Sequence, residues 1–275
     1  MAGEGPAANH LGHTPGADLL DVSDEVMTVK IATYSTFNIS HIVWAYAKLE
    51  HVPDRPLLEK CDEALATRLE EFNSQDFSQV LWGLTKMAYR LELGLLARIE
   101  QAFVRTVDSA TDQDVALVMW AFARSGADLS AGTVQRLLAV VEARFDRGRF
   151  DRLSFTHLLF ATGRMGRDVD EFYLKYEREL LAGDALDIET ACKLMYCCSL
   201  HDLCPSGEVI ELCEVAIDAD MGALDPGRLV GLLKSYEDLG LIMDPELRNR
   251  LVAEINAKEE RAEAGHLELE ETIFN

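Results

Sequence analysis

Apolar residues recur along this chain in a fixed arrangement around one large residue, which we call the anchor. Three stretches carry the pattern in full: His41-Ile-Val-Trp44-Ala-Tyr-Ala-Lys48, Gln79-Val-Leu-Trp82-Gly-Leu-Thr-Lys86 and Leu117-Val-Met-Trp120-Ala-Phe-Ala-Arg124. It continues in weaker form around Phe160, Tyr196 and Lys234, so that successive anchors are 38, 38, 40, 36 and 38 residues apart. A period between 20 and 50 residues is typical of repeat arrays.

Each repeat predicts a pair of helices. The positions five, two and one before the anchor and two after it are mostly apolar, as in Ile39, Ile42, Val43 and Tyr46. These offsets share one face of a helix with 3.6 residues per turn. A second helical run follows in every repeat, at 57–70, 93–107, 133–145, 171–181, 208–216 and 245–255. Polar residues at the starts of the first helices predict helix caps at Ser74, Asp112 and Asp187.

A helix pair cannot bury its apolar face alone, whereas stacked pairs share a continuous core. We therefore predict an all-α fold, a right-handed α-solenoid of about six helix-turn-helix repeats with a period near 38 residues. The solenoid is expected over residues 31–256. It follows a poorly ordered N-terminal segment, 1–30, and precedes an acidic C-terminal tail, 257–275.

The period and the core sequence Trp44-Ala-Tyr-Ala-Lys48-Leu49 resemble the octotricopeptide repeat family and its relatives, the heptatricopeptide and FAST-kinase-like repeat proteins. The resemblance extends from about residue 34 to about residue 255 and is most specific in the three repeats with tryptophan. It implies sequence-selective RNA binding in mitochondria or plastids, in transcript stability, processing, translation or ribosome assembly. The family also contains structural subunits of large organellar assemblies. Many members end in a nuclease-like domain, and we recognise none after residue 256.

A basic residue follows the anchor by four positions in four repeats. These residues, which we call the cation row, are Lys48, Lys86, Arg124 and Arg164. Stacked repeats would place them roughly 10 Å apart along one surface, where they could follow a phosphate backbone. Three positions before the anchor, the polar residues His41, Gln79 and His157 are candidates for contacting single-stranded bases. The alternative is that each cation is solvated and only complements the negative end of its helix dipole.

A second candidate is the arginine-rich link between the third and fourth repeats. Its arginines alternate with Phe145 and Phe150 and are Arg144, Arg147, Arg149 and Arg152. Arginine beside aromatic residues can hold phosphate and stack on bases. The neighbouring Asp146 and Asp151 fit an ordinary salt-bridged loop equally well. The tryptophans, in contrast, are expected in the core rather than as stacking surfaces.

The net charge of the chain and its distribution limit which partners are expected. The chain has 48 acidic and 26 basic residues, a net charge of −22 and a pI near 4.6, which excludes a uniformly basic nucleic-acid binder. The acidity is uneven: residues 186–256 carry −9, whereas 72–110 and 111–150 are each neutral. We therefore expect single-stranded or ribosomal RNA on the front and middle repeats and protein partners on the acidic C-terminal repeats. No DNA partner is expected. The competing interpretation is a protein–protein scaffold without RNA selectivity.

Catalytic and metal-binding patterns are not recognisable, so we expect no enzyme, cofactor or metal site. The six cysteines have no paired spacing, and Cys192, Cys197 and Cys198 occupy helix positions where other repeats have Ala, Ser or Thr, as small core residues do. No apolar stretch approaches the roughly 18 residues of a membrane span. The resemblance implies a mitochondrial location, with plastid or cytoplasm as alternatives, although the first thirty residues do not read as a transit peptide.

Overall fold

The computed structural model describes residues 16–145, 152–167, 169–183 and 185–274, and over these residues the chain is helical without β-strands. The α-helices are α1 (Ala17–Lys30), α2 (Thr36–Lys48), α3 (Arg55–Arg68), α4 (Ser74–Lys86), α5 (Leu93–Thr106), α6 (Asp112–Ser125), α7 (Ala131–Phe145), α8 (Arg152–Arg164), α9 (Asp170–Ala182), α10 (Ile188–His201), α11 (Gly207–Asp220), α12 (Pro226–Asp238) and α13 (Pro245–Phe274). Short 3-10 helices follow α1, α3, α5 and α11, at Ile31–Thr33, Leu69–Glu71, Val107–Ser109 and Met221–Ala223. The all-α prediction is confirmed. None of the described helices is long and apolar enough to cross a membrane.

The predicted helical runs are all present. The first helices, which carry the anchors, are α2, α4, α6, α8, α10 and α12, and the second helices are α3, α5, α7, α9, α11 and α13. The two ends differ from expectation. Residues 17–30 of the expected N-terminal segment form α1, and residues 1–15 lie outside the described residues; α13 continues through the expected acidic tail as far as Phe274.

Helix α1 packs against α3. The buried Asp24 holds the inner face of α1 in place. Its Oδ2 atom lies 3.0 Å from His51 Nε2. The same oxygen accepts a hydrogen bond from the backbone N–H of Asp54 at 3.3 Å. A buried carboxylate requires such partners. These contacts, rather than an apolar stripe, explain why the helical character of α1 was missed in the sequence.

The chain divides into two compact units, residues 1–149 and 150–275. In the N-terminal unit α2 packs on α4, and α4 packs on α6, through the predicted apolar positions. Those positions are buried on all three helices except for Ile42 of α2, which is half-buried. In the C-terminal unit α8 packs on α10, which also contacts α11 and α12, and α12 packs on α13.

The first helices of the N-terminal unit are joined by buried carboxylates. Asp76 and Asp114 complete capping boxes with the true N-caps Asn73 and Thr111, so the predicted caps Ser74 and Asp112 were wrong by one residue, whereas Asp187 does cap α10. Both aspartates also reach the preceding first helix. Ser40 Oγ donates to Asp76 Oδ1 at 3.1 Å, and Ser78 Oγ donates to Asp114 Oδ1 at 2.6 Å. Each carboxylate therefore completes the capping box of its own helix and ties that helix to its neighbour.

Helices α2 and α4 approach each other closely at Gly83, the residue after the second anchor. A Cβ atom at Gly83 would lie 2.6 Å from Val43 Cγ1 and 2.9 Å from the carbonyl oxygen of Val43. Only a glycine allows this approach, because both separations are below van der Waals contact. The close approach sets the distance between the anchors of the two helices.

The core of the C-terminal unit contains aromatic residues and cysteines. The rings of Phe155 and Tyr176 are stacked, and Cys197, Cys198 and Cys213 are buried. Burial raises the pKa of Cys198 and of Cys213 to about 12. These thiols stay protonated at neutral pH and pack as small apolar residues, as expected for Cys197 and Cys198; the nearby Cys192 is half-buried.

Candidate nucleic-acid interface

The anchors do not lie in the core of the N-terminal unit. Trp44 is 38% exposed, and Trp82 and Trp120 are half-buried. The expectation of core tryptophans was therefore wrong for Trp44 and only partly met for the other two. With 100° of rotation per residue, the anchor lies about 150° around the helix from the centre of the buried apolar positions.

Lys48 connects two neighbouring anchors. Its Nζ atom lies 5.6 Å from the ring centroid of Trp44, on its own helix, and 5.3 Å from that of Trp82, on α4. Both distances are within the range of cation–π attraction. The first residue of the cation row is thus in direct contact with the aromatic anchors and lies beside them at the surface.

Lys86 and Arg124 occupy the same position on α4 and α6, four residues after Trp82 and Trp120. Both are exposed, and neither forms an ion pair with the described residues. Because α2, α4 and α6 pack side by side in that order, three cations of the row lie on adjacent helices. Arg164 belongs to the C-terminal unit, where it is exposed in the last turn of α8.

The cations on the second helices of the N-terminal unit behave differently. Several of them pair with carboxylates, in Lys60–Glu63, Arg68–Glu71, Arg105–Glu70 and Arg136–Asp108. Their charge is therefore partly neutralised by neighbours. The row cations of the first helices keep their charge available for an external anion.

The same face of the first helices carries no carboxylate. We define the anchor face as the anchor and the positions seven and three before it and four after it, in α2, α4 and α6. Its members are Phe37, His41, Trp44, Lys48, Gln75, Gln79, Trp82, Lys86, Gln113, Leu117, Trp120 and Arg124. A chain with a net charge of −22 thus presents a surface of aromatic rings, amides and cations.

Three members of this face, Phe37, Gln75 and Gln113, were not identified from the sequence. All three are exposed and lie two turns before the anchor of their helix. The ring centroids of Phe37 and His41 are 4.0 Å apart, and His41 Nδ1 lies 2.8 Å from the carbonyl oxygen of Phe37. The repeat register itself was the available signal, because it assigns these residues to the same position.

The predicted base-contacting residues are not equivalent. His41 and Gln79 are half-buried on the anchor face, but Gln79 Oε1 is buried and has no hydrogen-bond partner among the described atoms. Leu117, which replaces them in α6, is buried. His157 is half-buried in α8 of the C-terminal unit.

The arginine-rich link is described by the structure only at its two ends. Arg147 and Arg149 lie outside the described residues. Arg144 lies in the last turn of α7 and Arg152 is the first residue of α8.

In the C-terminal unit the anchors are again close together, since the rings of Phe160 and Tyr196 stack with centroids 6.3 Å apart. The surrounding charges change, however. On α10 the side chain of Lys193 pairs with Glu189 at 2.9 Å, and the row positions on α10 and α12 hold Leu200 and Asp238. The cationic surface is therefore a property of the N-terminal unit and of Arg164.

Within the described residues, no group of three or more His, Cys, Asp or Glu side chains is arranged to hold a metal ion. The chain matches no protein-family model, and no curated protein is detectably similar to it. The anchor face is therefore the feature of this chain that points to a function.

Proposed function

We propose that this protein is a right-handed α-solenoid of about six repeats with a period near 38 residues, and that it binds single-stranded RNA along its anchor face. The observation that carries the proposal is the position of Lys48 over the rings of Trp44 and Trp82, with Lys86 and Arg124 in the same register on the next helices. The absence of carboxylates from this face supports the proposal, because an acidic chain would otherwise repel phosphate.

The geometry suggests how each kind of residue would act. The row cations are placed to neutralise successive phosphates, which releases condensed counterions and gives affinity without sequence preference. The partly exposed indole rings of Trp44, Trp82 and Trp120 offer surfaces on which bases can stack, at about 1–3 kcal/mol per base. Half-buried His41 and the exposed amides of Gln75 and Gln113 supply polar groups beside those rings. The proposed function is that of a binding protein rather than an enzyme.

The test is a fluorescence-anisotropy titration of the full chain with a labelled single-stranded RNA pool, repeated at several salt concentrations. Three phosphate contacts predict that log K falls with log salt with a slope of about −2. Charge reversal at Lys48, Lys86 and Arg124 together should weaken binding by at least 30-fold. Single-stranded DNA and double-stranded RNA serve as competitors and should bind more weakly.

A matched variant reverses Lys60, Arg105 and Arg136, three cations on the second helices that pair with carboxylates. It changes the net charge by the same amount as the anchor-face variant and should weaken binding less than threefold. Circular dichroism checks that both variants remain helical. The proposal fails if the unaltered protein shows no salt-dependent affinity for RNA, or if the two triple variants lose affinity equally.

A second candidate function is a scaffold for other proteins. It is favoured by the acidity of residues 186–256, which carry −9, and by α11, which has five carboxylates and no basic residue. Purification of the native complex with and without ribonuclease separates the two functions. A scaffold keeps its partners after ribonuclease treatment, whereas an RNA-bridged complex loses them.

The proposed setting is organellar RNA metabolism, in transcript stability, processing, translation or ribosome assembly. It depends on the resemblance of the three tryptophan repeats to the octotricopeptide type. Fractionation of cells that express the full chain tests it. The mitochondrial fraction is the expected location, recovery in plastids would still fit an organellar setting, and recovery in the cytoplasm would contradict it.

A further inference from the structure

An apolar groove lies between helices α9 and α11 of the C-terminal unit. It measures about 330 Å³ and is lined mainly by Leu181, Leu186, Leu212 and Val215, with carboxylates at one side. Leu181 and Val215 are exposed, Val215 by 61%. Neither the all-α packing nor RNA binding accounts for this opening.

The groove occurs where the chain lacks a recurrent filling residue. Thirteen positions before the anchor, three repeats have a buried aliphatic residue that starts a 3-10 helix: Ile31, Leu69 and Val107. Each of these 3-10 helices packs against the following second helix, respectively α3, α5 and α7. In the fifth repeat the same position is Gly183, whose backbone is extended, with φ −99° and ψ −172°.

The missing side chain explains the groove physically. The second helix that follows Gly183 in the fifth repeat is α11, whose Leu212 and Val215 form one wall of the groove. A glycine supplies no aliphatic group to cover that wall, so apolar surface remains open to solvent. An aliphatic side chain from a partner can occupy it, and binding is favoured because apolar surface is removed from water.

The carboxylates beside the groove favour a positively charged partner. Glu208 and Glu211 line it directly, and the basic residue nearest to it in the sequence of α9 is Arg178, three residues before Leu181. Opposite charge on a partner would be attracted by this rim. A second copy of this chain, with its own net charge of −22, would be repelled.

We propose that the α9–α11 groove docks a helical segment of a partner protein that presents two aliphatic side chains flanked by lysine or arginine. An amphipathic helix placing anchors at i and i+4 in an apolar groove is an established mode of peptide recognition. The residues that line the groove all belong to the C-terminal unit, and none of them is a member of the anchor face.

The test uses labelled synthetic peptides of fourteen residues and the full chain, with anisotropy as the readout. The probe peptide has leucines at i and i+4 with lysines on both sides. One matched peptide replaces the lysines by glutamates, and another permutes the leucines off one face. We expect the lysine peptide to bind at least tenfold more tightly than either of the others, with an affinity that falls as salt is added.

Variants of the protein locate the site. Val215→Asp should abolish binding, and the double change Glu208→Lys with Glu211→Lys should weaken the lysine peptide at least tenfold while strengthening the glutamate peptide. The control variants are Ile242→Asp, another exposed aliphatic residue of the same unit, and Glu237→Lys with Asp238→Lys, two exposed carboxylates of α12. Both controls should bind the lysine peptide as the unaltered protein does.

Three results would overturn the proposal. The first is equal binding of the lysine and glutamate peptides. The second is a loss of binding in the control variants as large as that in the groove variants. The third is that no binding is detected. Sedimentation of the protein alone tests whether a second copy of the chain occupies the groove. If the protein dimerises and Val215→Asp abolishes the dimer, the groove is occupied by a second copy instead of by a partner helix. Retention of RNA affinity by Val215→Asp shows that the two surfaces are separate.

Discussion

Replacing Gly83 by alanine tests the close approach that brings the anchors of α2 and α4 together. The added Cβ would lie 2.6 Å from Val43 Cγ1, 2.9 Å from Val43 O and 3.0 Å from Val43 C. Rotation of the Val43 side chain can relieve only the first of these contacts. The other two involve backbone, so the two helices must move apart.

The expected magnitude combines two opposing terms. Alanine in place of glycine inside a helix stabilises by about 0.5–1 kcal/mol. Overpacking of a close contact costs about 1–3 kcal/mol. We expect Gly83→Ala to lower the free energy of unfolding by roughly 1–2 kcal/mol. Gly231 is the matched control because it lies inside α12 and an added Cβ there would meet no atom within 4 Å, and Gly231→Ala should stabilise by up to about 1 kcal/mol.

The assay is urea denaturation followed by circular dichroism at a helical wavelength, combined with tryptophan fluorescence of the folded variants. Moving α2 away from α4 separates Lys48 from the ring of Trp82, so the emission of Gly83→Ala should change while that of Gly231→Ala does not. If both alanine variants stabilise the protein equally and leave the emission unaltered, the close approach does not set the anchor geometry.

Two further predictions concern the buried groups. Asp76→Ala removes the N3 half of the α4 capping box, worth about 1 kcal/mol, and two buried hydrogen bonds to a carboxylate, from Thr36 and Ser40. It should therefore destabilise by about 3 kcal/mol in urea denaturation, whereas the exposed Asp128→Ala should change stability by less than about 0.5 kcal/mol; equal effects would refute the linking role of Asp76. Burial also raises the pKa of Cys213 to about 12 from an ordinary 9.0. The folded state keeps this proton where the unfolded state loses it, so stability should fall as pH rises from about 9 towards 12. Cys213→Ala should make that decline in melting temperature shallower, and an unchanged slope would contradict the burial argument.

The sequence was sufficient to locate the helices because their signal is local. Apolar residues at fixed offsets from each anchor specify which side of a first helix is buried, and Phe77, Leu81 and Leu84 are buried as predicted. The same offsets place the anchor almost opposite that side, so the partial exposure of Trp44 was also readable. It was missed because tryptophan was assigned by its average preference for the interior instead of by its angle on the helix.

Other features depend on residues far apart in the chain. The contact of Lys48 with Trp82 requires the spacing between α2 and α4 that Gly83 permits, and a single repeat does not reveal it. The bond from Ser40 to Asp76 also joins residues 36 positions apart. Helix α1 was not predicted, because its aliphatic residues Leu19, Val22 and Val29 are exposed. An amphipathic helix is recognised by an apolar stripe that becomes buried, and α1 has no such stripe.

The distribution of charge separates the anchor face from an ordinary solvated surface. If the row cations only complemented helix dipoles, carboxylates would be expected beside them, as they are beside Arg68 and Arg105 on the second helices. The anchor face instead keeps Lys48 against two indole rings and leaves Lys86 and Arg124 without acidic partners in the described part of the chain. An acidic chain gains no solubility by removing carboxylates from one surface, and like-charged neighbours on that surface cost stability. A polyanionic ligand that follows the row gives those unpaired cations a role, and this argument favours RNA over a scaffold for the N-terminal unit.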